Sequence, residues 1–178
     1  GTLAGERMHF IVNHWPSRLG GEKNSRPKRE AAAALTKHLA DSLIQADPDS
    51  KVVIMGDLND DPNNSSTSKV LEAKKKQNEV KPGGYFNTMW PIFAKGIGSL
   101  AYQGQWNLFD QIIISSNLLG KDRSTLKFIK AEVFNRDFLK QEEGKYKGYP
   151  KRTHAGGVYL NGYSDHFPTM IYLAKEVN

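Results

Sequence analysis

The sequence predicts a layered α/β domain. Three observations point to it: short apolar, β-branched runs that read as buried strands, one long stretch of helical periodicity between the first two, and polar residues gathered where the runs end. The 178 residues fit one domain, taken as 1–178, and suffice to bury an apolar core. With 38% apolar and 25% charged residues, the composition argues against disordered and fibrous architectures. No run approaches the roughly 18 apolar residues of a membrane span and no signal-peptide pattern opens the chain, so a soluble protein is expected.

The elements follow in order. Met8 to Val12 is an apolar run ending in Asn13-His14, a strand emptying into a loop. The loop from Trp15 to Ser25 holds Pro16, Gly20 and Gly21. Pro27 then suits a first helical turn, and Ala32, Leu35, Leu39, Leu43 and Ala46 recur at helical spacing, which predicts a helix over 26–46 with those residues inward. Asp47-Pro48-Asp49 stops it. Val52 to Met55 reads as a central strand with Gly56-Asp57-Leu58-Asn59-Asp60-Asp61 at its end. Helix-favouring residues predict a second helix over 67–77, capped by Ser65 or Ser66. Residues 81–105 show no clear period and read as a long loop with room for one short strand. Further strands are expected over 112–115, 128–134 and 170–174, and the polar stretch 141–150 reads as a disordered tip.

The chain has no cysteine, which excludes disulfides, thiolate metal sites and a cysteine nucleophile but leaves cytoplasmic and exported locations open. The formal charge of +6 suits a phosphate-bearing partner and suits solubility equally well. The chain opens Gly1-Thr2-Leu3, so it reads as a processed chain or a fragment.

Four segments place acid, amide and imidazole groups against strand ends: Asn13-His14, Gly56-Asp57-Leu58-Asn59, Asp110 before Gln111-Ile112-Ile113-Ile114, and Ser164-Asp165-His166-Phe167-Pro168. Each alone has a structural reading, as an Asx-turn or a strand-end histidine. Together they form a constellation suited to general acid–base and electrostatic chemistry. Asp60 and Asp61 read as turn-shaping residues. Arg18, Arg26 and Arg29 are candidate phosphate contacts through bidentate hydrogen bonds, with loop packing and helix-surface charge as the equal alternative. Trp106 and Asn107 are candidate pocket walls, Trp106 equally a core anchor, and no aromatic-interleaved basic stripe marks a nucleic-acid track.

In order along the chain, Asn13-His14-Trp15-Pro16-Ser17-Arg18, Gly56-Asp57-Leu58-Asn59, Phe109-Asp110-Gln111-Ile112 and Ser164-Asp165-His166-Phe167-Pro168 resemble the signatures of the endonuclease/exonuclease/phosphatase superfamily of metal-dependent phosphoesterases. Leu108 departs from the basic residue many members carry there. The resemblance implies the C-terminal half of a four-layer α/β sandwich, a mixed or antiparallel sheet with helices on its outer face. It further implies His166 as general base or phosphate contact oriented by Asp110, with Asp57 aligning water and Asn59 bridging to a phosphoryl oxygen. His14 would donate from the opposite wall, and Asp165 with Asp57 would complete a Mg2+ environment, Mn2+ or Ca2+ being alternatives. The family's principal metal-binding glutamate belongs to an N-terminal half that this sequence does not match. The 178 residues alone are therefore expected to hydrolyse weakly or not at all, and their uncovered sheet face is expected to meet a second copy or that missing half. The implied substrate is a phosphoester, nucleic acid or else a lipid or small molecule, and the rival class is a non-catalytic binding or scaffold domain with the same fold.

Overall fold

A computed structural model of the protein describes residues 1–176. Strand β1 (Thr2–Leu3) turns into β2 (Glu6–His14) through Ala4 and Gly5, both at positive φ, the two-residue hairpin whose twist matches its strands. Helix α1 (Glu22–Ala46) then carries the chain over the sheet, so that β3 (Lys51–Asp57) lies parallel to β2. A parallel neighbour requires such a crossover. Next come β4 (Tyr85–Asn87), the short helix α2 (Trp90–Phe93), a hairpin of β5 (Leu100–Tyr102) and β6 (Gln105–Asn107), and β7 (Asp110–Ser115). Strand β8 (Lys127–Val133), a hairpin of β9 (His154–Ala155) and β10 (Val158–Tyr159), and β11 (Thr169–Ala174) complete the chain. The principal sheet has the order β1-β2-β3-β7-β4 and is mixed, while β8 and β11 form a separate antiparallel pair.

Strand alternation divides the core in two. On one face Val52, Ile54, Ile113 and Tyr85 pack beneath Ala33 and Ala40 of α1. On the other, Met8, Val53, Ile112 and Ile114 meet Leu118 and Leu126, with Phe128, Ile171 and Leu173 of the β8–β11 pair against them. Each of these fully buried aliphatic side chains contributes about 1.5–3 kcal/mol through removal from water. A third cluster of Met89, Leu108, Val133 and Phe167 lies under the strand ends. This is an α/β sandwich layer arrangement, helix on sheet on sheet. The second sheet does not reach the whole inner face: Phe10 and Val12 are 49% and 74% exposed, beside an apolar groove of about 490 Å³ lined by Leu3, Phe10, Met55 and Met170.

The helix differs from its sequence reading in a way that bears on function. It starts at Glu22, places Pro27 inside, and buries Ser25, Arg29, Ala33, Thr36 and Ala40; of the residues expected inward, Ala32 and Leu43 pack against the core while Leu35 and Leu39 face solvent. Small residues let the helix approach the sheet closely, and Arg29 is drawn in by a carboxylate rather than expelled by the apolar face. The expected helix over 67–77 is a single wide turn at Ser66–Val70. There Ser66 and Thr67 spend their hydroxyls on Asp60 and on the carbonyls of Asp61, Pro62 and Asn64, Glu72 takes a positive φ, and Lys74 pairs with Phe86. The aperiodic loop contains three short strands and α2. The expected disordered tip is folded: Lys140 bridges Pro150, and the Gln141 N–H donates to the Tyr149 carbonyl at 2.7 Å.

Gly56 is required by both its backbone conformation and its surroundings. It sits at φ 133° opposite Asn13, and a Cβ there would lie 1.9 Å from the Asn13 carbonyl oxygen. Gly56→Ala is expected to cost on the order of 3 kcal/mol or more. A denaturant midpoint equal to that of the unsubstituted protein would refute this.

Candidate active site

Register assembles the site. His14 on β2 pairs laterally with Asp57 on β3, and Asp57 pairs with Asp110 on β7, so one row across three strands carries an imidazole and two carboxylates. Laterally adjacent residues project to the same face, about 5 Å apart. His14 Nε2 lies 3.6 Å from Asp57 Oδ2, and His14 is the open side of the row, 77% exposed against 23% for Asp57.

The opposite wall arrives from the far end of the chain. His166 Nδ1 lies 2.8 Å from Asp110 Oδ2, with both side chains about four-fifths buried. Phe167, buried in the third cluster, anchors the histidine, and its N–H donates to the Ser99 carbonyl at 2.7 Å. Ser99 in turn donates its hydroxyl to Asp110 Oδ2 at 2.5 Å. Sequence reading missed Ser99 because it lies in the aperiodic stretch; only the pairing of Leu100 with Asn107 brings it beside Asp110.

Burial and neighbours tune these groups. Burial raises the Asp57 carboxyl above its ordinary value, the Asn59 N–H opposes this at 2.8 Å, and the adjacent Asp110 charge adds to the rise. For His166 burial pulls downward, but the Asp110 hydrogen bond and the charges of Asp110, Asp57 and Asp165 outweigh it, and the imidazole is lifted. Asn59 adopts φ 51°, a conformation asparagine tolerates, and donates its side-chain amide to the Trp15 carbonyl at 2.9 Å.

Beneath the Asp57–Asn59 turn lies a buried ion cluster. Asp60 is fully buried; its Oδ1 is 2.8 Å from Arg29 Nε and 3.2 Å from Arg18, and its Oδ2 accepts from Ser66 at 2.6 Å. The Arg29 Nε–H is poorly aligned, so that contact is ionic more than directional. Asp61 accepts the Leu108 N–H at 2.7 Å, and burial raises its carboxyl despite that bond and Arg18. Asp60 and Asp61 thus shape the turn.

The cluster corrects the expected phosphate contacts. Arg29 is wholly buried on Asp60 and has no surface to offer a substrate. Arg26 forks onto Glu22 on the helix exterior, at 2.9 and 2.8 Å. Arg18 donates to the Asn59 carbonyl at 2.9 Å and lies over the Phe109 ring, tying the turn to the segment before Asp110. Asp165 is exposed, 3.7 Å from Arg152.

Among the described residues no three His, Cys, Asp or Glu side chains converge as a ready metal site. Beside the two imidazoles the site still offers carboxylate oxygens suited to a hard cation: Asp57, whose closeness to the Asp110 carboxylate a cation would relieve, and the exposed Asp165.

Three comparisons bear on this arrangement. A family model described as "Endonuclease/Exonuclease/phosphatase family" matches residues 1–175. No match is found among curated proteins. Solved structures similar to the chain include D. rerio TDP2 complexed with a single-strand DNA product (TM-score 0.55, 14% identity, 98% of this chain and 59% of that one). Truncated Caenorhabditis elegans TDP2 matches with TM-score 0.52 and 17% identity over 99% of this chain and 57% of its own. A double mutant of Staphylococcus aureus beta toxin with bound magnesium ions matches with TM-score 0.51 and 18% identity over 98% and 55%. The chain thus spans less than two thirds of each of these chains, and the likeness is one of fold.

Removing one side of the buried ion cluster leaves the other charge stranded, so Asp60→Asn is expected to lower stability by about 3–5 kcal/mol. The double change Arg29→Met with Asp60→Leu should recover much of that loss. Thermal or denaturant unfolding of the three proteins checks the order.

Proposed function

The chain belongs to the endonuclease/exonuclease/phosphatase family, and we propose that it carries out phosphodiester hydrolysis with a divalent cation, magnesium first among the candidates. The observation that carries this reading is the 2.8 Å contact of His166 with Asp110 beside the Asp57 carboxylate. Asp110 holds Nδ1–H and keeps the ring cationic, so Nε2–H is presented to a phosphoryl oxygen. Asp57 aligns a water and takes its proton as the water oxygen attacks phosphorus. The P–O bond to the leaving group breaks, and His14, on the open side of the row, hydrogen-bonds the departing oxygen. Asp57 and Asp165 would hold the cation, with further carboxylate from sequence outside these 178 residues, so that the isolated 178 residues would be weak. When bound, the cation neutralises charge on the phosphoryl oxygens while keeping several of its waters.

The exposed Phe10 and Val12 face is proposed to be covered by a second copy or by the remainder of a two-half sandwich. A stable monomer of the 178 residues in light scattering at micromolar concentration would oppose that.

Turnover of bis(p-nitrophenyl) phosphate by these residues together with the proposed remainder of the sandwich tests the chemistry, the 178 residues alone being expected to be weak. Chelation with EDTA should abolish it, magnesium should restore it, and Asp57→Ala should remove it; turnover indifferent to both treatments refutes the reading. The pH profile follows from the two lifted groups. Asp57 must be ionised, so kcat/KM falls on acidification as its carboxyl is protonated. His166 must be protonated, so kcat/KM falls again as pH rises through its value above 6.5. In Asp110→Asn the largest lifting contribution is gone while burial still pulls the other way, so the alkaline limb should move to lower pH. An unmoved limb would show that His166 does not set it.

A further inference from the structure

The segment between β8 and His166 folds into a lobe whose chemistry the hydrolytic reading leaves unused. Residues 134–163 contain six aromatic and six Lys or Arg side chains against three acidic ones, a net +3 in 30 residues of a chain whose total is +6. Exposed apolar surface concentrates there: Phe138, Tyr146, Tyr159 and Tyr163 are each 57–62% exposed. The lobe is fastened to the site, since the Lys151 carbonyl accepts the N–H groups of Tyr163 and Ser164, and Arg152 lies 3.7 Å from Asp165.

An aromatic path leads out of the site along this lobe. Phe167, next to His166, is stacked on Trp106 with ring centroids 6.0 Å apart and planes 16° from parallel. Trp106 is 38% exposed and meets Tyr149 at 5.4 Å, and Tyr149 meets the exposed Tyr146 at 5.7 Å. Around these rings the chain reads Lys145-Tyr146-Lys147-Gly148-Tyr149-Pro150-Lys151-Arg152, cation and ring alternating. The sequence reading passes over this alternation because it takes residues 141–150 as a disordered tip, and the ring that ties it to the site, Trp106, comes from the β5–β6 hairpin.

Resting on the phosphodiesterase reading, we infer that this ledge binds single-stranded nucleic acid, its bases stacked on Trp106 and Tyr146 and its phosphates paired with Lys147 and neighbouring cations, leading the strand toward His166. The alternation favours that partner. A lipid surface sorts apolar and charged groups by depth, with rings below and cations above. An unpaired strand presents bases and phosphates in alternation, and every base has a face to stack. The exposed rings are mostly tyrosines, which keep a hydroxyl in water while offering a ring face.

Fluorescence anisotropy of labelled dT15 and rU15 with the native protein in EDTA reads binding without turnover, and the two strands separate DNA from RNA. Trp106→Ala and Tyr146→Ala should each weaken binding between about 5-fold and 150-fold, the range for loss of one stacked base. Tyr146 is exposed, so its variant keeps the test intact if the Trp106 change unfolds the protein. Lys147→Gln should make the slope of log affinity against log salt shallower by about 0.7. Unchanged affinity in Tyr146→Ala overturns the inference, as does binding to phosphatidylserine vesicles with none to either strand. Reporter hydrolysis retained without oligonucleotide binding overturns the ledge alone; binding retained without hydrolysis in magnesium overturns the hydrolytic reading alone.

Discussion

The structure depends on a lateral register. Three strands are aligned so that His14, Asp57 and Asp110 form one row at the edge of an apolar core, and a slip of one residue on any strand would send its member to the opposite face. Two carboxylates so placed repel each other in a medium that solvates them poorly. The arrangement persists because each is compensated separately, Asp110 by His166 and Ser99, and Asp57 by the Asn59 N–H with His14 nearby. That division of partners makes the row chemically asymmetric. One carboxylate is committed to an imidazole, and the other is left protonatable and turned toward the open side.

Holding the row requires rigid backing, and the sheet alone does not give it to the loops. The Asp57–Asn59 turn is backed by charge rather than by hydrocarbon: Arg29 reaches through the helix–sheet interface to Asp60, Arg18 clamps the turn from outside, and Gln111 donates to the Asp60 carbonyl from the neighbouring strand. Such a cluster is a weak source of net stability, since desolvation offsets much of the attraction. Its directional bonds do fix where a turn can sit, which a core of leucines would not. His166 is backed differently, by the buried Phe167 ring.

The same contrast explains what was legible in the sequence. Strands with apolar runs were readable because burial on both faces leaves little ambiguity: residues 52–55 and 112–115 lie inside β3 and β7. The motif residues at their ends were readable as candidates because polar groups at strand ends stand out against such runs. The inward face of α1 was legible only in part: Ala32 and Leu43 do pack on the core, but its centre is carried by Ser25, Arg29, Ala33, Thr36 and Ala40, three of which hydropathy assigns to the outside. Arg29 was misread for the same reason: nothing local reveals that its counter-ion is Asp60. Ser99 and Trp106 were obscured by strands of three residues, too short to show a period, whose pairing exists only once β7 is in place.

The inner wall of the site and its flanks differ in a way that matters for catalysis. The inner wall of Asp57, Asp110 and His166 is largely buried and held by strands and packed rings, so on the proposed reading little reorganisation is needed when charge develops on a phosphoryl group. The groups flanking it, His14 at one end of the row and Asp165 with the aromatic lobe beyond His166, are exposed. On the proposed reading, contacts along the lobe lie remote from the reacting phosphorus, and binding energy gained there can be used to hold the scissile bond against the inner wall. A substrate reduced to its phosphodiester forgoes those contacts. The lobe would then act on kcat as well as on KM, because orientation at the preformed row, and not affinity alone, is what the remote contacts supply.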